Sequence, residues 1–233
     1  MVQLYPTHIP TSLLQKGLLT FGSAVVSILN PLRADMVAAV GETTALRPVL
    51  KKIHRRMEND ICGRKILRDR PRITSATVDL TFLRTLPHGT LGKEYSLFLE
   101  RLNTTPDERP AVKFIDDGDD LLYIMQRYRE THDFNHVILQ MKTTMLEEVT
   151  VKYFEGMQLG LPMCVLGGAL SGLRLGPKHR RAFVLHYLPW CMEQAVNSQL
   201  LIAVDWENHF EVPISELQKA CSITPFRKSS FST

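Results

Sequence analysis

Apolar positions recur at three- and four-residue spacing along most of this chain, and no run longer than four residues alternates cleanly enough to read as a strand. Leu13, Leu14, Leu18, Phe21, Val25, Ile28 and Leu29 mark a first helix that starts at Thr11 or Ser12 and is ended by Asn30-Pro31. Its only charge is Lys16, so the spacing predicts a buried helix, with a membrane or a partner as the alternative. A short helix over 33–40 follows, stopped by Gly41. The next has Thr43 or Thr44 as N-cap and Pro48 in its first turn, with Leu46, Leu50, Ile53 and Met57 inward and Lys51, Lys52, His54, Arg55 and Arg56 outward. Such a basic face is either solvated or set against anionic phospholipid.

Residues 63–72 read as a loop or extended piece, 77–86 as a helix closed by Pro87, and Leu91–Leu102 as a helix capped by Thr90. The polar, turn-rich stretch 103–110 is the expected mobile segment. Asp116-Asp117-Gly118-Asp119 opens the next helix, where carboxylates suit the N-terminal dipole. That helix buries Leu121, Leu122, Met125 and Tyr128, either as one rod or with a bend near Thr131. Residues 178–197 form a late helix with Val184, Leu188, Cys191 and Ala195 on its stripe and a kink at Pro189. Residues 205–210 are irregular, and Pro213 leads a helix over 214–221. The expectation is an all-α fold: an N-terminal arm over 1–10, a single compact multi-helix domain over 11–223, and a flexible C-terminal tail over 224–233.

The chemistry concentrates in THDFNHVILQMKTTMLEEV, residues 131–149. His132 and His136, four apart, share a helix face, and Asp133 borders it at about 100° per residue. One turn of helix can therefore offer two nitrogens and a carboxylate to one cation. On an unbroken helix Glu148 would lie about 18 Å from His136 along the axis, at 1.5 Å per residue, so it can join them only if the chain bends. Thr144 with Glu147 has the S/T-x-x-E capping form. The stretch therefore predicts a helix through Met141, a turn over 142–144, and a second helix folding back to form a metal site between the two. Imidazole with carboxylate suits Zn2+, with Fe2+ or Mn2+ also served. A zincin is excluded, because H-E-x-x-H needs a glutamate beside the first histidine.

Fifteen uncharged residues from Leu159 to Leu173 are too few for a membrane span and are interrupted by Pro162 and a Gly-Gly pair. Gly156 with Gly160 forms a small-x-x-x-small pair, and beside apolar Met163 it marks either close helix packing or an apolar lipid groove. The run Arg64, Lys65, Arg68, Arg70, Arg72 needs an anionic answer, either a substrate carboxylate or headgroup, or the acidic run Asp116, Asp117, Asp119, Asp120. Lys178, His179, Arg180 and Arg181 form a second cluster, opposing their helix dipole.

Hydrophobic content of 44%, charged content of 22% and a formal charge of +4 fit an ordinary globular chain of 233 residues and argue against a nucleic-acid binder. Cys62, Cys164, Cys191 and Cys221 are scattered without a CxxC pair, as free, mostly buried thiols would be. The N-terminus has no charged n-region, and its first arginine is Arg33, so it reads neither as a secretory signal nor as a typical mitochondrial presequence.

HDxxH followed after eleven residues by Glu resembles the signature of the coenzyme Q biosynthesis protein 4 family, the mitochondrial ubiquinone biosynthesis proteins. GRKILRDRPRI, GMQLGLPMCVLGG and DWENHFEVPISELQK resemble the same family in the same order, so the likeness spans nearly the whole chain. It implies ubiquinone biosynthesis, a metal held by His132, Asp133, His136 and Glu148, and metal-dependent removal of the C1 carboxylate from a polyprenylated 4-hydroxybenzoate-type ring. In the oxidative version of that reaction a hydroxyl is left at C1. It further implies a homodimer, other coenzyme Q biosynthesis proteins as partners, and peripheral attachment to the matrix side of the inner mitochondrial membrane. Asp133 and Glu148 are then the candidate catalytic residues. Arg64, Arg68, Arg70, Gly156, Gly160 and Met163 are the candidates for substrate and lipid. A non-catalytic lipid-binding scaffold with a closed four-ligand metal is the alternative. A helical metallohydrolase ranks behind it, since it needs a further histidine and aspartate, for which His54 and Asp205 are the nominees.

Overall fold

The computed structural model describes residues 3–30 and 33–227, without the side chains of Leu170, Ser171 and Leu173. Regular structure among these residues is helical, apart from one backbone bridge between Thr90 and Pro213. The all-α expectation holds.

Helix α1 (Leu13–Leu29) begins at a capping box between Ser12 and Gln15 and ends at Asn30; Pro31, expected to help end it, lies outside the described residues. Its burial does not hold. Leu13 is 90% exposed, Phe21 73% and Leu29 77%. The face turned inward is the short-chain one, with Ser23 buried and Thr20, Ala24 and Ser27 on the wall of a cavity. Small side chains permit the closest approach between helices, so the helical period holds while the packing face is the opposite one.

Helix α2 (Ala34–Thr44) passes through Gly41 instead of stopping there. A Cβ on Gly41 would lie 2.9 Å from Met163 Sδ, so the glycine makes room for that side chain. Because α2 runs on through Thr43 and Thr44, the N-cap of α3 (Arg47–Glu58) is Leu46, which is exposed, while Leu50, Ile53 and Met57 are buried as expected. The stretch expected as a loop is mostly helix α4 (Ile61–Asp69). Asp60 accepts from Gly63 N at 2.7 Å, and a Cβ on Gly63 would meet Met57 O at 2.3 Å. That glycine is a packing residue between α3 and α4.

Helices α5 (Leu80–Thr85) and α6 (Leu91–Leu102) lead to α7 (Asp119–Ile138), which is one unbroken rod with most of its 20 residues buried. It ends at Ile138, three residues before Met141. Gln140 takes the left-handed conformation (φ 55°) and Met141 N bonds back to His136 O at 2.9 Å. Helix α8 (Met145–Leu159) starts at the expected cap: Thr144 Oγ1 accepts from Glu147 N and donates to Glu147 Oε2. Helix α9 (Pro162–Leu173) packs along α8, where a Cβ on Gly156 would lie 2.9 Å from Val165 Cγ2 and 3.2 Å from Val165 N. Gly160 supplies the left-handed C-cap of α8 (φ 70°). Both glycines therefore serve packing and chain reversal, and neither lines the cavity.

Helix α10 (Pro177–Ala182) and α11 (Leu188–Asn197) are joined by a π-helical turn, Phe183–Tyr187. Leu188 N bonds to Phe183 O, a widened turn just before Pro189, which has no N–H to continue the α pattern. The extra residue rotates the stripe: Phe183 and Tyr187 are buried with Cys191 and Ala195, and Val184 is exposed. Helix α12 (Ile214–Ala220) completes the set. The expected free tail is tied down as far as Phe226, whose ring lies 4.2 Å from that of Tyr187, while Trp190 Nε1 donates to Thr224 O at 2.8 Å; residues 228–233 lie outside the described set. The arm is docked too. Tyr5 donates to Ile115 O, and Ile9 N to Lys113 O.

Two hydrophobic clusters flank α7. One gathers Leu50, Ile53, Met57 and Ile66 against its first half, and the other gathers Tyr95, Phe98, Phe154 and Trp206 against its second. Gly156→Ala is expected to cost about 1–3 kcal/mol through overpacking against Val165. Chemical denaturation monitored by circular dichroism would measure it, and an unchanged midpoint would show that the α8–α9 contact has slack.

A candidate metal centre between two helices

Both histidine rings point their Nε2 atoms at Glu148. His136 Nε2 is 2.9 Å from Oε2 and His132 Nε2 is 3.6 Å from Oε1. One ligand atom from each of His132, His136 and Glu148 lies within 4.8 Å of the others, close enough for all three to hold one ion. The reversal at Gln140 brings this about, because Glu148 in the first turn of α8 then faces one turn of α7.

Asp133 is not in this group. It is buried on another side of α7 and ion-paired to Arg109, a residue of the 103–118 connection. At about 100° per residue it leaves the face that His132 and His136 share, and Arg109 captures it.

The rings are oriented from behind. His132 Nδ1 donates to Glu155 Oε1 at 2.6 Å and His136 Nδ1 to Met141 O at 3.2 Å. An occupied Nδ1–H fixes the tautomer whose bare Nε2 binds a cation. Asn135 Nδ2 donates to the same Glu155 oxygen at 2.9 Å, and Lys152 Nζ and Tyr128 OH each lie about 3 Å from its other oxygen. Sequence spacing points to Glu148 and passes over Glu155, although it lies seven residues further on, two helical turns away on the same side of α8.

Charge follows this geometry. Burial alone would depress the His132 imidazole, but the Glu155 carboxylate, with help from Glu148, lifts it to about 9. Burial would raise Glu148, yet His136 and His132 hold it well below the usual carboxylate range. Glu155 is held low by His132 and Lys152 against the same burial penalty. Buried Cys164, whose Sγ lies 3.1 Å from Tyr128 OH, is pushed up to about 12 chiefly by desolvation and is an inert thiol.

The centre opens onto a cavity of about 610 Å³, lined by His132, Glu148 and Lys152 at one end and by apolar side chains that include Ile28, Val37, Val40, Met163 and Leu166. Met163 lines it. Arg64, Arg68 and Arg70 do not: they are occupied by Glu58 O, Asp69 and Asp120. Asp116 holds Lys16 and His8, and Asp117 holds Arg47. His54 is paired with Glu58 and Asp120, and Asp205 with Lys65, so the extra ligands of a metallohydrolase are not brought to the centre. All four cysteines are free, and no helix among the described residues is long and apolar enough to cross a membrane.

Two outcomes are expected. With its pKa near 9, His132 carries a proton at pH 7 in the cation-free protein. Binding a divalent cation at pH 7 should therefore release about one proton, and affinity should rise with pH until His132 is neutral; calorimetry in buffers of different ionisation heat reads this, and zero release would show that His132 is already neutral at pH 7. Second, His132→Ala and Glu148→Ala should lose the metal with helical content unchanged, Asp133→Asn should keep it, and Glu155→Gln should weaken affinity by about 10–100-fold.

The model of the coenzyme Q (ubiquinone) biosynthesis protein Coq4 family matches residues 5–227. The chain is 57% identical over 223 residues to the mitochondrial ubiquinone biosynthesis protein coq-4 of Caenorhabditis elegans, covering 96% of both chains. It is 43% identical over 221 residues to the human mitochondrial COQ4 homolog, covering 95% of this chain and 83% of that one. A crystal structure from Nostoc punctiforme, of a protein assigned to ubiquinone biosynthesis, shares the fold at a TM-score of 0.70 and 20% identity, over 91% of this chain and 98% of that one. A match of this extent, by the family model over residues 5–227 and by relatives over nearly the whole chain, makes the chain a member of the Coq4 family of coenzyme Q biosynthesis proteins.

Proposed function

We propose that this chain removes the C1 carboxylate from a polyprenylated 4-hydroxybenzoate-type intermediate of coenzyme Q biosynthesis, at a divalent cation held by His132, His136 and Glu148. The observation that carries the reading is the ligand count. Three candidate ligands come together, two of them, His132 and Glu148, on the cavity wall, whereas a structural zinc is normally closed by four. Asp133, the fourth ligand a closed site would have used, is bound elsewhere. This favours the enzyme over the purely scaffolding reading. The donor set of two imidazoles and a carboxylate suits zinc first, and iron or manganese next.

The cavity matches an amphiphile. Its volume falls in the range of small-molecule pockets, and its walls are mostly apolar. A bound cation supplies Lewis-acid polarisation of ring or carboxyl oxygens. In the non-oxidative reaction the C1–carboxyl bond breaks, carbon dioxide leaves, and the electron pair on the ring carbon takes a proton. Lys152 Nζ, on the cavity wall and held by Glu155, carries a proton within the site. The oxidative outcome would need dioxygen and a redox-active ion, for which iron qualifies and zinc does not.

The exposed apolar face of α1 supports peripheral attachment to a lipid surface. Leu13, Leu14, Leu18 and Phe21 point outward from the helix whose inner face walls the cavity, so a prenyl tail would have a short path from bilayer to site. Coenzyme Q biosynthesis partners, a homodimer and the matrix side of the inner mitochondrial membrane belong to the same proposal.

Protein purified without chelators should carry about one divalent cation per chain and release the carboxyl carbon of a short-chain prenylated hydroxybenzoate as carbon dioxide. Mass spectrometry and a labelled-carboxyl assay read the two together. Full metal and tight ligand binding without turnover would transfer support to the scaffold. Phe21→Asp with Leu18→Asp should lower co-flotation with cardiolipin-containing vesicles and leave metal content unchanged.

A further inference from the structure

We infer that Arg109 recognises the carboxylate of the ligand that enters the cavity, and that Asp133, one residue after a metal ligand, is the positioning residue that aims it. The inference rests on the reading above that the ligand is an aromatic acid with an apolar tail.

The cavity holds four basic side chains besides its histidine: Arg109, Arg129, Lys152 and Arg174. Three are committed to the protein. Arg129 is paired with Glu42 and donates to Ala38 O and Pro110 O at 2.9 and 2.7 Å. Lys152 is held by Glu155 and Tyr128 OH, each at 3.1 Å. Arg174 donates to Ile28 O at 2.7 Å. Arg109 has one side-chain partner among the described residues, Asp133, through a single Nη2–Oδ1 contact. A guanidinium has five N–H donors in a plane, so one contact leaves an edge able to meet a second carboxylate bidentately. The side chain remains 32% exposed while Asp133 is 3% exposed, and Arg109 lines the cavity while Asp133 does not.

Arg109 is also held in place through its own backbone neighbours. Pro110 O accepts from Arg129, Val112 N donates to Gln126 Oε1 at 3.3 Å, and Lys113 N and Phe114 N both donate to Glu42 Oε2. The connection that carries Arg109 is thus strapped to α7 and α2 on one side and to Asp133 on the other. A cation fixed this way binds an anion at low ordering cost. Its neighbourhood includes Glu148, whose charge is felt at Arg109, so the carboxylate and the metal centre would be read by one bound ring.

Recognition of this kind stabilises the charged ground state. On losing carbon dioxide, negative charge leaves the carboxylate for the ring, so the Arg109 contact is not strengthened in the transition state. Its removal should raise KM and leave kcat unchanged or higher, unlike removal of a group that acts on the reacting carbon.

The test compares wild type, Arg109→Gln, Arg109→Lys and Asp133→Asn, all assayed for bound metal. The probes are a short-chain prenylated 4-hydroxybenzoate and the same prenylated phenol without its carboxyl group, with binding by calorimetry and kcat and KM by carbon dioxide release. Wild type should prefer the acid. Arg109→Gln should lose about 10–100-fold in affinity for the acid, as expected for a charge-assisted contact, and keep its affinity for the phenol and its metal. Arg109→Lys should fall between, and Asp133→Asn should weaken acid binding with metal retained. Equal acid affinity in wild type and Arg109→Gln, or no preference for the acid in wild type, would overturn the assignment. Loss of metal in Asp133→Asn would overturn the role given to Asp133. Should wild type bind the acid without turnover while Arg109→Gln loses the preference, the decarboxylase reading falls and the Arg109 assignment stands. Should wild type turn the acid over and Arg109→Gln match it in KM and acid affinity, the Arg109 assignment falls and the decarboxylase reading stands.

Discussion

Helix α7 is a buried helix full of charge, and the rest of the structure is arranged to neutralise it. Arg127, Arg129, Glu130 and Asp133 are all buried along one rod. An unpaired buried charge costs several kcal/mol, so each must find a partner from another element. Arg127 meets Glu207 and the Val204 carbonyl, Arg129 meets Glu42, Glu130 meets Arg72 and the Ile73 amide, and Asp133 meets Arg109. These pairs draw the connections before α5, between α6 and α7, and after α11 onto the central helix. The segments that look least structured in the sequence are thereby among the most firmly held.

The same rule organises the candidate metal centre. His132 and His136 need acceptors for their inner nitrogens, and the residues that answer, Glu155 and the Met141 carbonyl, lie on the elements that close the α7–α8 hairpin. The hairpin turn and the ring tautomers are therefore one feature. Cation affinity, pH response and local stability should move together when Glu155 is changed.

Cavity and apolar surface are two sides of α1. Its short side chains face inward and leave room, and its long ones face outward. A helix that buried its large residues would have filled the space next to the centre. The enzyme reading and the membrane reading thus draw on one facing choice, which also sets how far a prenyl tail must travel.

From periodicity and capping alone the chain specified an all-α fold, most helix starts, the reversal after α7 and four residues for one candidate cation site, of which His132, His136 and Glu148 come together. These are local properties: spacing on a helix, an S/T-x-x-E cap and the length of one connection. It also resembled its family through motifs, and the relatives above share 43–57% identity with it over nearly its whole length. It did not reveal which face of α1 is covered, that α2 continues through Gly41, that 61–69 is helical, or that Asp133 pairs with Arg109 instead of joining His132, His136 and Glu148. Nor did it show that Arg64, Arg68 and Arg70 are taken up by neighbours within the fold while Arg109 lines the cavity. Each of these depends on what lies opposite in space. A glycine reads as a stop until Met163 or the Met57 backbone comes against it, and a carboxylate beside a histidine reads as a ligand until a cation from 24 residues earlier in the chain reaches it first. Sequence spacing fixes direction from a helix axis, and only tertiary packing supplies the partner that decides the energy.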